Sequence, residues 1–206
     1  TRVRSSAASD VYKRQHPERA VWYRAIDPRH WPTALAASQT IFTPSRFSPA
    51  ADANPTFPVL YLAENHLVAL LEVEAVYSPP GSNGVILPNP QGAWTLLNVQ
   101  VELQQVADLS DAGEQAKIGT TAQELTGDWR GYMDRSPHTP VVGPTGPAPT
   151  HDLGQALYNV PGLEGFRTVS AKMPTHRNLL VFPSKLRFGS RIVFTHLGTG
   201  QSHTIP

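Results

Sequence analysis

Four short segments of the sequence carry polar side chains that suit catalysis or ligand binding. The candidate residues are Arg24, Arg46, Tyr61, Glu72 and Ser170. A guanidinium offers a planar pair of donors that matches a phosphate or a carboxylate. A carboxylate stabilises a cation that develops in a transition state, a tyrosine ring stacks on a planar ligand, and a serine hydroxyl donates to an oxygen. These residues predict one site only if the fold brings them together.

Each of these candidates also has an ordinary structural explanation. Glu72 lies in an apolar helical segment and could face water, as charged helix residues usually do. Arg24 could pair with a nearby carboxylate such as Asp27, and Tyr61 could be a core residue with a satisfied hydroxyl. Arg46 lies in a proline-rich loop and has fewer structural explanations, because loops often carry function. The residue types alone leave both interpretations open.

The elements that would position these residues are predicted from hydrophobic periodicity and from capping residues. Segment 97–103 has Leu or Val at every second position, which predicts a strand with one buried face and one wet face. Segment 67–76 has high helix propensity, and Asn65 is a suitable N-cap. Thr121 and Glu124 have the spacing of a capping box that opens a short helix toward residue 129. The other predicted strands are 21–26, 59–63, 166–170, 178–182 and 191–196, and a further helix is predicted at 151–159.

The order of these elements favours an α+β fold, because strands and helices do not alternate as they would in a doubly wound sheet. The prolines in segment 43–58 predict an extended loop. Segment 137–149 contains five prolines. It predicts a loop or an insertion rather than a domain linker, since the strands after it are needed to complete a sheet. Residues 16–206 are therefore predicted to form a single domain.

The first fifteen residues are interpreted as foreign to the protein. Residues 5–15 read SSAASDVYKRQ, which resembles the translation of a transposase adapter used in short-read DNA sequencing, and such segments are excluded from fold prediction. A basic amphipathic tail is the alternative. Without these fifteen residues the chain has 13 basic and 15 acidic residues. The composition therefore gives no electrostatic case for nucleic-acid binding.

Composition and missing motifs exclude several classes of site. The chain has no cysteine, which excludes disulfides and thiolate chemistry and is typical of a cytoplasmic protein. No apolar run is long enough to cross a membrane. The dinucleotide-binding, Walker A, zinc-protease and nucleophile-elbow motifs are absent, and no histidine pair has helical metal-ligand spacing, so no metal is expected. Trp129 and Tyr132 are expected to be core residues rather than a platform for a base.

Five segments, in order, resemble the RES-domain family. That family has a strand ending in Tyr-Arg, a Gly-Arg-Trp-like turn, a Tyr-Leu-Ala strand with an Ala-Leu-x-Glu helix, a Pro-Ser-Ala segment and an Asn-Leu-x-x-Phe strand. The matching segments, between residues 21 and 186, are VWYRAI, PSRFSP, LYLAENHLVALLE, GLEGFRTVSAK and NLLVFPSKL. Three positions depart from the pattern. Ser45 replaces the glycine before the arginine, Phe47 replaces the tryptophan after it, and Val169 replaces the proline before the serine.

The resemblance implies an α+β fold related to ADP-ribosyltransferases and an activity that breaks the nicotinamide–ribose bond of NAD⁺. It implies that Glu72 stabilises the ribosyl cation and holds a ribose hydroxyl. Arg46, counted with Glu72 as catalytic, and Arg24 would bind the pyrophosphate. Tyr61 would contact nicotinamide, and Ser170 would donate to a phosphate or ribose oxygen. NAD⁺ is then the substrate, and no metal is implied.

The resemblance also implies a biological role, as a cytoplasmic NAD⁺-degrading toxin with an Xre/DUF2384-type antitoxin as its partner, and it allows a homodimer. Water, phosphate or a protein nucleophile could capture the ribosyl cation, so hydrolysis, phosphorolysis and ADP-ribosylation of a protein all stay open. A second hypothesis is a non-catalytic RES-like module that binds a nucleotide or a partner, and the altered positions Ser45 and Val169 motivate it.

Overall fold

The strands of this protein pair into one sheet that closes on itself. A computed structural model describes residues 15–76, 93–133, 148–196 and 198–206, so segment 1–14 and most of the predicted loop 137–149 lie outside the described residues. The strands are β1 (His16–Ile26), β2 (Leu60–Ala63), β3 (Thr95–Leu109), β4 (Gly165–Val169), β5 (Arg177–Val181), β6 (Arg191–Thr195) and β7 (Ser202–Ile205). The α-helices are α1 (His66–Glu72), α2 (Ala112–Lys117), α3 (Ala122–Thr126), α4 (Trp129–Met133) and α5 (Pro149–Tyr158).

The long strand β3 closes the sheet. The strands follow the order β1-β2-β5-β4-β3-β6-β7, and β1 also pairs with β3. Pairing with β1 runs antiparallel along most of β3, while β6 and β4 pair with separate parts of it, β6 antiparallel and β4 parallel. The pairings therefore form a ring of β1, β2, β5, β4 and β3, with β6 and β7 continuing from β3. This mixed sheet with helices outside it confirms the predicted α+β class.

The predicted alternation in β3 is confirmed and supplies one side of the core. Leu97, Val99, Val101 and Leu103 are all at most 1% exposed, and they pack in a cluster with Trp22 of β1. A second cluster holds the other side of the sheet. It contains the aromatic residues Phe47, Phe57, Phe166 and Phe182. Both clusters bury side chains from segments distant in sequence, which fixes the sheet and the long loop that carries residue 47.

Helix α1 packs closely on the sheet because small residues lie between them. Ala25 of β1, Ala63 of β2 and Ala69 of α1 are buried in one small cluster. The predicted N-cap is confirmed, since the Asn65 side chain accepts a hydrogen bond of 2.9 Å from Val68 N. The start and the packing of α1 together direct its last turn toward the end of the sheet.

The prediction that this helix extends to residue 76 is wrong, because the helix ends at Glu72. Glu74 adopts a left-handed conformation with φ of 58°. Glu74 N donates to Leu71 O at 3.0 Å, and Ala75 N donates to Leu70 O at 2.9 Å, which is the Schellman arrangement that closes helices. The Glu74 carboxylate also bonds Lys172 Nζ at 3.2 Å. Nothing in the sequence indicates that the helix ends here, because the left-handed position that closes a helix is usually glycine and here it is Glu74.

Two other predictions are only partly correct. Thr121 Oγ1 accepts from Glu124 N at 3.2 Å as a capping box requires, but the Glu124 carboxylate accepts from Thr120 Oγ1 rather than returning to residue 121. The helix expected to run toward residue 129 is divided into α3 and α4. Strand β7 was not predicted, and among the described strands its partner is β6. Within the described residues, no helix is long and apolar enough to cross a membrane.

Candidate active site

Four neighbouring strands meet at the end of the sheet where the predicted site residues lie. Tyr23 of β1 is paired with Ala63 of β2, and Ala63 is paired in turn with Asn178 of β5. Asn178 is also paired with Thr168 of β4, and Ser170 follows directly after that strand. Side chains separated by more than a hundred residues in sequence are therefore adjacent here.

Glu72 is held in place by two side chains from these strands. Its Oε1 accepts hydrogen bonds from Ser170 Oγ at 2.6 Å and from Asn178 Nδ2 at 2.7 Å. The buried Ser170 Oγ in turn accepts from the backbone N–H groups of Lys172 and Met173, at 3.2 and 3.1 Å. These two bonds direct the hydroxyl hydrogen toward Glu72. The carboxylate is thus fixed in orientation, unlike a solvated helix residue.

A cavity of about 180 Å³ opens beside this carboxylate. Residues from β1, β2, α1 and β5 line it, among them Tyr23, Arg24, Tyr61, Ala63, Ala69, Glu72 and Asn178. We call it the first cavity. Pockets for drug-sized ligands usually measure about 300 Å³ or more. The first cavity is therefore large enough for one part of a dinucleotide, and the rest would lie outside it.

Arg24 brings a buried positive charge to the first cavity. Its Nη2 donates to Ala36 O at 3.2 Å, while Nη1 is shielded from solvent and has no hydrogen-bond partner among the described residues. Burial lowers the pKa of Arg24 to about 10. Asp27, the carboxylate considered as its structural partner, instead bonds Arg29 at 2.7 Å. The guanidinium therefore has a donor to offer to an anion.

Tyr61 lines the first cavity with its ring and fixes a turn with its hydroxyl. The hydroxyl lies 2.7 Å from Ser45 Oγ and accepts from Phe47 N at 3.2 Å. Burial raises the pKa of Tyr61 to about 12, so the phenol stays neutral near pH 7. Positive φ angles at residues other than glycine occur at Ala50 and Glu74 in the described chain. Ser45 therefore needs no glycine-like backbone, and its hydroxyl gives the turn an additional bond.

Arg46 lies next to the first cavity and not among the residues that line it. Its Nη1 donates to the carbonyl oxygens of Leu125, at 3.4 Å, and Gly127. Burial lowers the pKa of Arg46, and the nearby negative charge of Glu72 opposes that effect. Of the five predicted site residues, Arg24, Tyr61 and Glu72 thus line one cavity. Ser170 does not line it but donates a hydrogen bond to the Glu72 carboxylate. Arg46 is close enough to act on Glu72 electrostatically.

The sequence analysis did not select three residues that shape this site. Asn178 bonds Glu72 directly; the Asn-Leu-x-x-Phe segment includes it, but it was given no role. His151 is buried in α5, and its Nε2 lies 2.8 Å from Ser45 O. Gly154 of the same helix is also required, because a Cβ there would lie 1.9 Å from Phe47 O. Helix α5 thus holds the turn 45–47 against Tyr61.

The described residues contain no cluster of three or more His, Asp or Glu side chains that could hold a metal ion. Fold and site together define an α+β protein with a fixed carboxylate and a buried guanidinium in one cavity. The model of the RES domain matches residues 21–198, so the chain belongs to the RES-domain family.

A solved structure shares this fold. A chain in the crystal structure of the M. tuberculosis MbcT–MbcA toxin–antitoxin complex is similar to it, with a TM-score of 0.62 and 16% sequence identity. The similarity covers 98% of this chain and 92% of that chain. No curated protein matches the sequence.

Proposed function

We propose that this protein is the toxin of a toxin–antitoxin pair and that it cleaves the nicotinamide–ribose bond of NAD⁺. The observation that carries the proposal is that Glu72 and Arg24 both line the first cavity. One side chain is a carboxylate held by two hydrogen bonds, and the other is a guanidinium with one donor that has no partner among the described residues. A substrate that develops positive charge next to its own anionic group suits both side chains. The carboxylate would stabilise the positive charge, and the guanidinium would bind the anionic group.

NAD⁺ has this distribution of charge. When its glycosidic bond breaks, the bonding electron pair leaves with nicotinamide, which departs as a neutral molecule, and the ribose becomes an oxocarbenium-like cation. A fixed carboxylate stabilises that cation without reorganising, because its orientation is already set. Glu72 takes this role, and Ser170 and Asn178 act as positioning residues through their bonds to Oε1.

The pyrophosphate supplies the anion that the guanidiniums require. Arg24 lines the first cavity, and its buried Nη1 has no hydrogen-bond partner among the described residues. Arg46 lies beside that cavity with its own charge near Glu72. Guanidinium is suited to phosphate because its paired donors match two phosphate oxygens. Tyr61 contacts nicotinamide with its ring, since its hydroxyl is already bonded to the turn 45–47.

The acceptor of the ribosyl cation defines the final reaction. With water, its oxygen bonds to C1′, a proton is released, and the products are ADP-ribose and nicotinamide. With inorganic phosphate, the phosphate oxygen bonds to C1′ and ADP-ribose 1″-phosphate is formed. With a nucleophile on a protein, the same cleavage gives an ADP-ribosylated target. We rank destruction of NAD⁺ above modification of a protein.

The alternative of a non-catalytic module rested on Ser45 and Val169. Ser45 adopts an ordinary backbone conformation and bonds Tyr61, so this position does not require glycine. Val169 pairs with Arg177 at the end of β4 and packs against the phenylalanine-rich core cluster. Both replacements are thus accommodated, which leaves the catalytic proposal preferred.

A helical antitoxin of the Xre/DUF2384 type is the partner we propose for a cytoplasmic toxin of this kind. The similar solved chain comes from a toxin–antitoxin complex, which supports the proposal without locating a binding surface on this chain. An antitoxin that covers the first cavity would exclude NAD⁺ and restore growth.

The proposal is tested by incubating the purified protein with NAD⁺ and measuring nicotinamide. We expect release of nicotinamide, with ADP-ribose as the second product in a buffer without phosphate or ADP-ribose 1″-phosphate in phosphate buffer. In a third reaction, labelled NAD⁺ and a total protein extract are added, and label bound to protein measures ADP-ribosylation. Absence of nicotinamide under all three conditions would contradict the proposal and favour the binding module.

A further inference from the structure

We propose that a second cavity, separate from the first, binds the adenosine half of NAD⁺; this inference rests on the proposed function. The second cavity measures about 540 Å³ and lies between α3, α4 and the start of α5. Its lining includes Glu124, Asp128, Trp129, Tyr132 and Thr150. The first cavity holds about 180 Å³, which leaves most of a dinucleotide to be bound elsewhere.

A buried hydroxyl without a partner marks the second cavity as a ligand site. Thr150 is 2% exposed, and its Oγ1 has no hydrogen-bond partner in the part of the chain that the structure describes. Buried polar groups in folded proteins are nearly always hydrogen-bonded, and Thr150 is among the residues that line the second cavity, where a ligand could supply the missing partner. Thr150 is also the second residue of α5, whose N-cap, Ala148, makes no side-chain capping bond.

The chemistry of the lining favours a nucleoside over a phosphate. Trp129 is an aromatic residue in the lining of the second cavity. Aromatic rings are surfaces on which proteins stack bases. The carboxylates of Glu124 and Asp128 repel phosphate, but they accept hydrogen bonds from the hydroxyls of a ribose, as acidic residues do in other dinucleotide sites.

Arg46 connects the second cavity to the first. Its guanidinium bonds Gly127 O, and Gly127 lines the second cavity. The charge of the same guanidinium acts on Glu72, which lines the first. A dinucleotide with nicotinamide near Glu72 and adenosine at Trp129 would therefore pass its pyrophosphate by Arg46. The order of groups along NAD⁺ matches the order of these sites.

A chain of contacts also connects the two cavities. The Trp129 ring lies 5.5 Å from the His151 ring, and His151 Nε2 lies 2.8 Å from Ser45 O. Ser45 Oγ then lies 2.7 Å from the hydroxyl of Tyr61 in the first cavity. The expectation that Trp129 is a core residue is therefore corrected, since it is half-buried and lines a cavity.

The test is calorimetric titration of the full chain with AMP, which is the adenosine half of NAD⁺ together with its 5′-phosphate, the group that would lie by Arg46. We expect AMP to bind, and we expect Trp129→Ala to raise its Kd about 5- to 150-fold, the usual effect of losing one base stack. Thr150→Val should raise the Kd about 2- to 10-fold through loss of one hydrogen bond. The control Phe188→Ala removes a fully exposed aromatic ring outside both cavities and should leave the Kd unchanged.

Stability measurements separate a binding role from a structural one. Thr150→Val removes an unbonded buried hydroxyl, so its thermal midpoint should equal or exceed that of the wild type while AMP binding weakens. No binding of AMP by the wild type, or equal binding by both variants, would overturn the inference. Failure to release nicotinamide from NAD⁺ would instead contradict the proposed function, whatever the AMP titration gives.

Discussion

Replacing Arg24 with methionine should stabilise the folded protein while it abolishes cleavage of NAD⁺. Burial lowers the pKa of Arg24 to about 10, between two and three pH units below an ordinary arginine, and such a difference corresponds to about 3 kcal/mol. The folded state carries this unfavourable free energy at every pH below about 10. Methionine has a similar length, lacks the charge and removes the unpartnered Nη1.

The net gain should be smaller than the desolvation free energy, because one hydrogen bond is lost. Arg24 Nη2 donates to Ala36 O, and a bond of this kind contributes about 1 kcal/mol. The Ala36 carbonyl keeps a second donor, Gln39 Nε2 at 3.2 Å, so it is not left unbonded. We therefore expect a net stabilisation of about 1–2 kcal/mol, or a rise in Tm of about 2–8 °C for a chain of this size.

Urea unfolding at pH 7 measures this change, with Arg29→Met as the matched control. Arg29 is an exposed arginine whose side chain bonds Asp27, so its replacement should alter stability little. ADP-ribose should raise the Tm of the wild type and not that of Arg24→Met, because the variant lacks the guanidinium that would bind the pyrophosphate. A loss of more than about 1 kcal/mol in Arg24→Met would refute the reasoning, since it would give the guanidinium a structural role.

Three further changes test how the site is held. Gly154→Ala should displace the turn 45–47 and lower both activity and Tm, because its Cβ would lie 1.9 Å from Phe47 O; unchanged values would refute the close packing. The control is Gly113→Ala, whose Cβ would meet no backbone atom and one side-chain atom, Asp111 Oδ1 at 3.0 Å. Burial lowers the pKa of His151, so the unfolded state takes up a proton more readily and stability should be lost as pH falls below about 6.5. His151→Gln keeps a donor to the Ser45 carbonyl and should show a smaller fall in Tm between pH 7.5 and 5.5, whereas an equal fall would contradict the assignment. Asn178→Leu should keep the fold and lower kcat/KM about 10- to 150-fold, because a hydrogen bond to a charged group contributes about 1.5–3 kcal/mol; full activity would show that Glu72 needs no second donor.

Local patterns in the sequence were sufficient for most elements of the fold. The alternation of Leu97, Val99, Val101 and Leu103 predicted β3 because a half-buried strand must place apolar residues at every second position. Asn65 predicted the start of α1 because an N-cap acts through its own side chain. The end of α1 was not predictable, since Glu74 adopts a left-handed conformation without being glycine.

The geometry of the site could not be predicted from local patterns. Glu72 bonds Ser170 and Asn178, which lie 98 and 106 residues further along the chain. These contacts depend on the pairing of β2, β5 and β4, which no short segment specifies. The family resemblance selected Glu72, Arg24 and Tyr61, which line one cavity, but it gave no indication that Arg46 bonds the carbonyl oxygens of Leu125 and Gly127.

The central claim is that the negative charge of Glu72 drives cleavage of NAD⁺, and the variant Glu72→Gln tests it most directly. Glutamine keeps an acceptor oxygen for Ser170 and Asn178, so the fold and the Tm should remain close to those of the wild type. Nicotinamide release from NAD⁺ should then fall to background, and expression of the variant should no longer arrest growth. Release at the wild-type rate by a correctly folded Glu72→Gln protein would contradict the account.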